Sequence, residues 1–255
     1  MGTLTAPFAN YYSINNTNYN LYRGLVNFDY SPSNSSISFF ISVHSKGFTS
    51  ASFAISTSSP ASVLSFTIRY MVIDIANFGG NFMFRDVNYS NFALNSGNPT
   101  EIITENPPGG NLFGNSNVPY IYCVIVMLDM VDDSNSNNYE VDMKCEVINP
   151  AKYKVIFNHI HDATYYLVGV STIVIDKTYV ESTFNLNLEQ QFISFDKNSS
   201  FSYVSHTSFS LLMEKYSSFL GLSAFHSVSS ASVRFDTFLD YSNQEITVFN
   251  TSSSS

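Results

Sequence analysis

The sequence has no tryptophan and only two cysteines, and Asp, Glu, Lys and Arg make up just 12% of its 255 residues. Globular proteins usually carry about 25% charged residues. With 11 Lys and Arg against 20 Asp and Glu, the net charge is −9. No basic stripe is present to neutralise phosphates, so nucleic acid is not an expected partner. No run of about 18 apolar residues is present, so no membrane insertion is expected. Two cysteines are too few for a disulfide-stapled mini-protein. The start, MGTLTAPFANYYS, has neither a basic n-region nor an apolar h-region and does not read as a secretory signal. A mature form, another route out of the cell and an intracellular chain all fit that start. Ala6 stands where a myristoylation signal after Gly2 has Ser or Thr.

Hydrophobic residues make up 44%, enough for a sizeable core and far from the composition of a disordered chain. Aromatics reach 16%, all of them Phe or Tyr. The polar surface must come from Ser, Thr and Asn. Asn-X-Ser/Thr sequons begin at Asn15, Asn34, Asn88, Asn198 and Asn250, a faint pointer to an extracellular setting.

Val, Ile, Phe, Tyr and Thr recur with period two between clusters of Ser, Asn, Gly and Pro, the signature of antiparallel strands. Strands are predicted over Ser38–His44, Ser65–Ile73, Tyr120–Leu128, Tyr139–Ile148, Lys154–His159, Tyr166–Ile175, Phe201–Met213 and Val233–Leu239. Helix should stay under about one tenth, against the usual third. One short turn is predicted near Leu211–Leu220. The expected fold is all-β, an antiparallel sandwich built of two or three units in tandem. The boundaries read as an Asn/Tyr-rich N-terminal arm (1–20), a first β unit (21–94), and a Pro/Gly/Asn-rich linker or long loop (95–117). A central unit (118–178), a third β unit (179–250) and a disordered Ser tail (251–255) complete the division. An internal repeat supports it. Strands led by an aromatic pass through a polar turn to a strand ending in Asp74, Asp176 or Asp240.

The central unit carries a more specific pattern. Pro119 opens an apolar strand ending at Asp129. A polar loop follows, then Tyr139–Asn149 runs into Pro150 and Tyr153. A hairpin through His159-Ile-His-Asp162 closes on an apolar strand ending at Asp176. Residues 118–176 thus resemble the H-type lectin domain, the module of snail agglutinins and of the discoidin C-terminal domain. Weaker repeats lie on either side. The resemblance implies two small antiparallel sheets packed face to face, a trimeric or larger homo-oligomer, and recognition of terminal sugars such as galactose or N-acetylgalactosamine. Where the family has a Trp-His pair in the turn, this chain has Ile160-His161, and Tyr166 matches a later Tyr. A family Arg falls on Glu140. In the third unit Phe225-His226 matches the pair more closely.

Sugar sites need an aromatic face and a few planar donors or acceptors. The carbohydrate-binding candidates are therefore His161, Asp162, Tyr166, Phe225 and His226. The alternative is that Tyr166 and Phe225 are packing residues and the histidines are solvated turn residues. His159 and His161, two apart on a strand end, have the spacing of a pair of metal ligands with Asp162 near, but read as ordinary turn histidines. Asp129, Asp132 and Asp133 lack the spacing of a calcium loop and read as a hairpin loop. No metal or other cofactor is expected. No nucleophile elbow, zinc-protease motif or phosphate loop is present, so no enzyme activity is expected.

The expected function is non-catalytic glycan binding by an oligomer, in an extracellular setting or at a virion or cell surface. The alternative is a structural subunit of an extracellular filament or coat, or of a virion or phage fibre, with the arm Phe8–Leu21 adding a strand to a neighbour. A hairpin centred on Ser134 would set Cys123 directly opposite Cys145. Opposed Cβ atoms are about 4.5–5.5 Å apart, a little wide for a disulfide. A cross-strand bond and two buried thiols both remain open.

Overall fold

The computed structural model of the chain describes residues 2–7, 19–30, 36–48, 50–57, 63–74, 81–90, 100–105, 119–131, 138–161, 165–184, 203–208, 224–228, 231–240 and 245–254. For 2–7, 100–105, 138–140, 158–161, 165–166, every described residue from 203 onward and a few strand ends, the backbone alone is described.

The period-two alternation folds as antiparallel strands in three sheets. Sheet A has six strands in the order β1 (Gly2–Pro7), β4 (Ser50–Ser56), β3 (Ser36–Lys46), β8 (Pro119–Val131), β11 (Tyr165–Asp176) and β6 (Phe82–Ser90). Sheet B has five, in the order β12 (Tyr203–Ser208), β15 (Glu245–Ser254), β14 (Ala231–Asp240), β2 (Tyr19–Tyr30) and β5 (Val63–Asp74). Sheet C has four, in the order β13 (Ala224–Val228), β9 (Asn138–Asn149), β10 (Lys152–His161) and β7 (Thr100–Glu105). The one helix among the described residues, α1 (Lys177–Phe184), follows β11. Asp176 ends that strand and caps the helix, its Oδ1 accepting from the Tyr179 N–H at 2.9 Å. The all-β expectation holds. The turn predicted at Leu211–Leu220 lies outside the described residues, as do Asp132, Asp133 and Asp162.

β8 explains why one sheet sits at the centre. Its run Cys-Val-Ile-Val-Met-Leu is apolar on both sides, so both faces need cover. Ile121, Cys123, Ile125, Leu128 and Met130 join Val141, Met143, Tyr153, Val155 and Phe157 of sheet C in one core. Val124 and Val126 face the other way, with Ile173 and Ile175 of β11, Tyr22 and Ile73 of sheet B, and Val180 of α1. The switch from odd to even numbers comes from a bulge. Gly169 pairs with Met127 and Val170 with Ile125, leaving Val126 as the extra residue. Each fully buried Val, Leu, Ile or Phe contributes about 1.5–3 kcal/mol. Phe28 and Phe39, with ring centroids 5.4 Å apart, tie sheet B into the same core. Tyr22 crosses between sheets, its hydroxyl donating to the carbonyl of Tyr122 at 3.1 Å or of Ser171 at 3.3 Å. Arg23, almost wholly buried, donates to the Ile41 carbonyl at 2.9 Å and pairs with Asp86 at 3.0 Å.

Among the described residues, strand pairing runs across the divisions read from the sequence. The strands do not segregate into self-contained consecutive units. β2 pairs with β14, β3 with β8, and β9 with β13, so segments assigned to different units share sheets. The linker region contains β7, which pairs with β10. The Ser tail is not disordered through Ser254, since Thr251–Ser254 completes the ladder between β15 and β14. At the N-terminus, Gly2–Pro7 of the arm lies against β4 of its own chain.

Cys123 and Cys145 form a disulfide. The expected geometry does not hold, because β8 and β9 are not a hairpin. They lie in different sheets, with Cys123 paired to Thr172 and Cys145 to Val155.

Candidate functional site

The β9–β10 hairpin is built locally. Asn149-Pro150-Ala151 makes the turn, with Asn149 Oδ1 accepting from the Ala151 N–H at 2.8 Å. From there Tyr153, Val155 and Phe157 of β10 share rows with Val147, Cys145 and Met143, the core side of β9. The intervening rows hold the charges. Glu146 meets Lys144 at 2.8 Å and Lys154 at 3.3 Å. Hydrogen bonds from these two lysines hold its carboxyl below the ordinary carboxylate range.

Continued alternation would carry His159 and His161 into the core rows after Phe157. A bulge prevents this. The register slips between Phe157 and His159, so Asn158 is extra, His159 pairs with Asp142, Ile160 with Val141, and His161 with Glu140. A one-residue slip exchanges the two faces of a strand. The core row, that of fully buried Val141, now belongs to Ile160.

β13 extends the same rows from the other side. Phe225 pairs with Val141, His226 with Glu140 and Ala224 with Asp142. Across three adjacent strands the row reads His226–Glu140–His161, and the next outer row reads Ala224–Asp142–His159. Two of the five carbohydrate candidates, His161 and His226, are therefore brought into one row. Both lie on strands, where hairpin turns were expected. Phe225 falls in the core row beside them. Tyr166 is separated from them, on β11 of sheet A opposite Met130. Asp162 lies outside the described residues. Glu140, set aside in the sequence as a departure from the family's Arg, occupies the middle of the row.

Among the described side chains no three His, Cys, Asp or Glu come together as a metal site requires. No helix among the described residues is long and apolar enough to cross a membrane. No family model, curated protein or solved structure matches the chain.

Proposed function

We propose that the protein is a non-catalytic, lectin-like glycan-binding protein, its sandwich of the H-type-lectin kind, acting as a homo-oligomer outside the cell or at a virion or cell surface. The observation that carries this reading is the row His226–Glu140–His161. Imidazole and carboxylate are planar donors and acceptors, suited to vicinal sugar hydroxyls. The face-to-face packing of sheets A and C supports the fold type, and the disulfide supports an oxidising setting. Weak sites of this kind gain from multivalent display. The structural-subunit alternative requires open edges that pair between copies. Edge strand β6 carries exposed Arg85 and Asp86, the kind of charge that blunts edge pairing, which favours the glycan reading.

A glycan array tests the proposal. The wild-type chain should bind a subset of terminal sugars, and the double variant H161A/H226A should lose binding with its far-UV spectrum unchanged. A folded wild-type chain that binds nothing on a broad array would overturn it in favour of the structural subunit.

A further inference from the structure

We propose that the rows around Glu140 form a binding site for a divalent transition-metal ion of the Zn²⁺ type, with His161, His226 and Glu140 as its centre and His159 and Asp142 beside it. The chain has 5 histidines, and three of them fall within two neighbouring rows on three adjacent strands. The other two, His44 on β3 and His206 on β12, belong to different sheets.

The spacing suits a metal. Neighbouring strands lie about 4.8 Å apart, and alternate residues on one strand about 6.6–6.8 Å apart. His159 and His161 are alternate residues on β10, each in register with a carboxylate of β9. His226 flanks Glu140 on its other side. The backbone thus places three histidines and two acidic residues at register positions on three adjacent strands, within about two strand spacings. A bulge at Asn158 is what sets both β10 histidines in the carboxylate rows. From the sequence alone His159 and His161 read as turn residues; the register adds His226, Glu140 and Asp142, which lie far away or on another strand.

The donor types select the ion. Imidazole with carboxylate suits Zn²⁺, Ni²⁺ or Cu²⁺, whereas Ca²⁺ and Mg²⁺ take oxygen ligands almost throughout. The local charge agrees. The two rows contain two acidic residues, Glu140 and Asp142. The disulfide ties β9 to sheet A at Cys145, anchoring the middle strand of the three.

This proposal stands independently of glycan binding, and its test uses no sugar. The whole oxidised chain, stripped with EDTA and dialysed, is titrated calorimetrically with ZnCl2. One ion should bind per chain, and thermal unfolding should move to higher temperature with Zn²⁺ and return with EDTA. MgCl2 at the same concentration should do neither. His161→Ala and His226→Ala should each weaken Zn²⁺ binding at least about tenfold, the size of effect seen even for outer-shell partners of a metal site, and His44→Ala should leave it unchanged. A wild-type measurement covers variants that do not fold. Zn²⁺ should protect His159, His161 and His226, but not His44, from diethyl pyrocarbonate, read by peptide mass mapping. Absence of stoichiometric binding, wild-type affinity in H161A/H226A, or protection confined to other residues would overturn the proposal.

Discussion

Cys123 and Cys145 are bonded with their Cα atoms 6.1 Å apart, and the bond runs between two packed sheets, from the central strand β8 to β9. It closes a segment of sequence separation 22 that includes the whole connection from sheet A to sheet C. Such a loop restricts the unfolded chain by about 2–4 kcal/mol. Reduction, or Cys145→Ser, should therefore lower the guanidinium midpoint by a corresponding amount. An unchanged midpoint, or two alkylatable thiols in the unreduced denatured chain, would contradict the bond.

Gly169 sits at the bulge that reverses the faces of β8. A Cβ at this position would stand 2.5 Å from Met127 Cβ and 2.9 Å from Asn88 Oδ1. The first is bonded directly to the Cα of the neighbouring strand and cannot swing away. Gly169→Ala should cost about 1–3 kcal/mol, as overpacking does. Gly47→Ala, whose nearest contact is Ser50 O at 3.2 Å, is the milder comparison in the same urea titration.

Tyr22 is fully buried, and burial pushes its hydroxyl well above the ordinary tyrosine range. Burial likewise raises Tyr122 to about 12. The folded state holds these protons more tightly than the unfolded chain. Their contribution is intact below the unfolded tyrosine pKa of about 10 and is lost as pH rises above it. Ultraviolet difference titration should show the exposed tyrosines ionising first and these two only on alkaline unfolding. Tyr22→Phe should lose about 1 kcal/mol through its hydrogen bond to the β8 and β11 carbonyls.

Asp129 and Glu146 should respond to acid in opposite directions. Burial raises the Asp129 carboxyl, partly countered by the Ser38 hydrogen bond, so its charged form costs stability at neutral pH and that cost is relieved as pH falls. Lys144 and Lys154 lower the Glu146 carboxyl, so its contribution is present at neutral pH and is lost as pH falls through its folded pKa. Asp129→Asn should raise the neutral-pH melting temperature, and Glu146→Gln should lower it. Both differences should shrink in acid. Parallel shifts would contradict the assignment.

Alternation is local, so many strands were legible, but the 12-residue Tyr19–Tyr30, the 10-residue Glu245–Ser254 and the 9-residue Phe82–Ser90 were not among those predicted. The stretches read at Ser38, Ser65, Tyr120, Tyr139, Lys154, Tyr166 and Val233 all lie inside observed strands. Two short edge strands were missed as well. Ala224–Val228 looked like a turn and Thr100–Glu105 like part of a linker, since a short Ser- or Thr-rich segment becomes a strand only when a distant partner offers its ladder. The site was half legible. His161 and His226 were singled out from their local pattern, but their meeting at Glu140 depends on a non-local pairing and on one extra residue at Asn158, neither of which alternation records. Cys123 and Cys145 were paired from a hairpin that does not exist; what brought them together is the packing of β8 on β9.

The pairing of β2 with β14 joins positions roughly 200 residues apart in sequence, a separation that makes assembly slow. A ribosome makes β2 long before it makes β14. Throughout that interval the nascent chain carries Asn27–Tyr30 with one edge open, and the Phe28 side of the core without its final neighbour. A truncated product ending before Ala231 would keep that edge exposed permanently and would be a natural substrate for chaperones or aggregation. The β2–β14 ladder can form only once the C-terminal strands have been made.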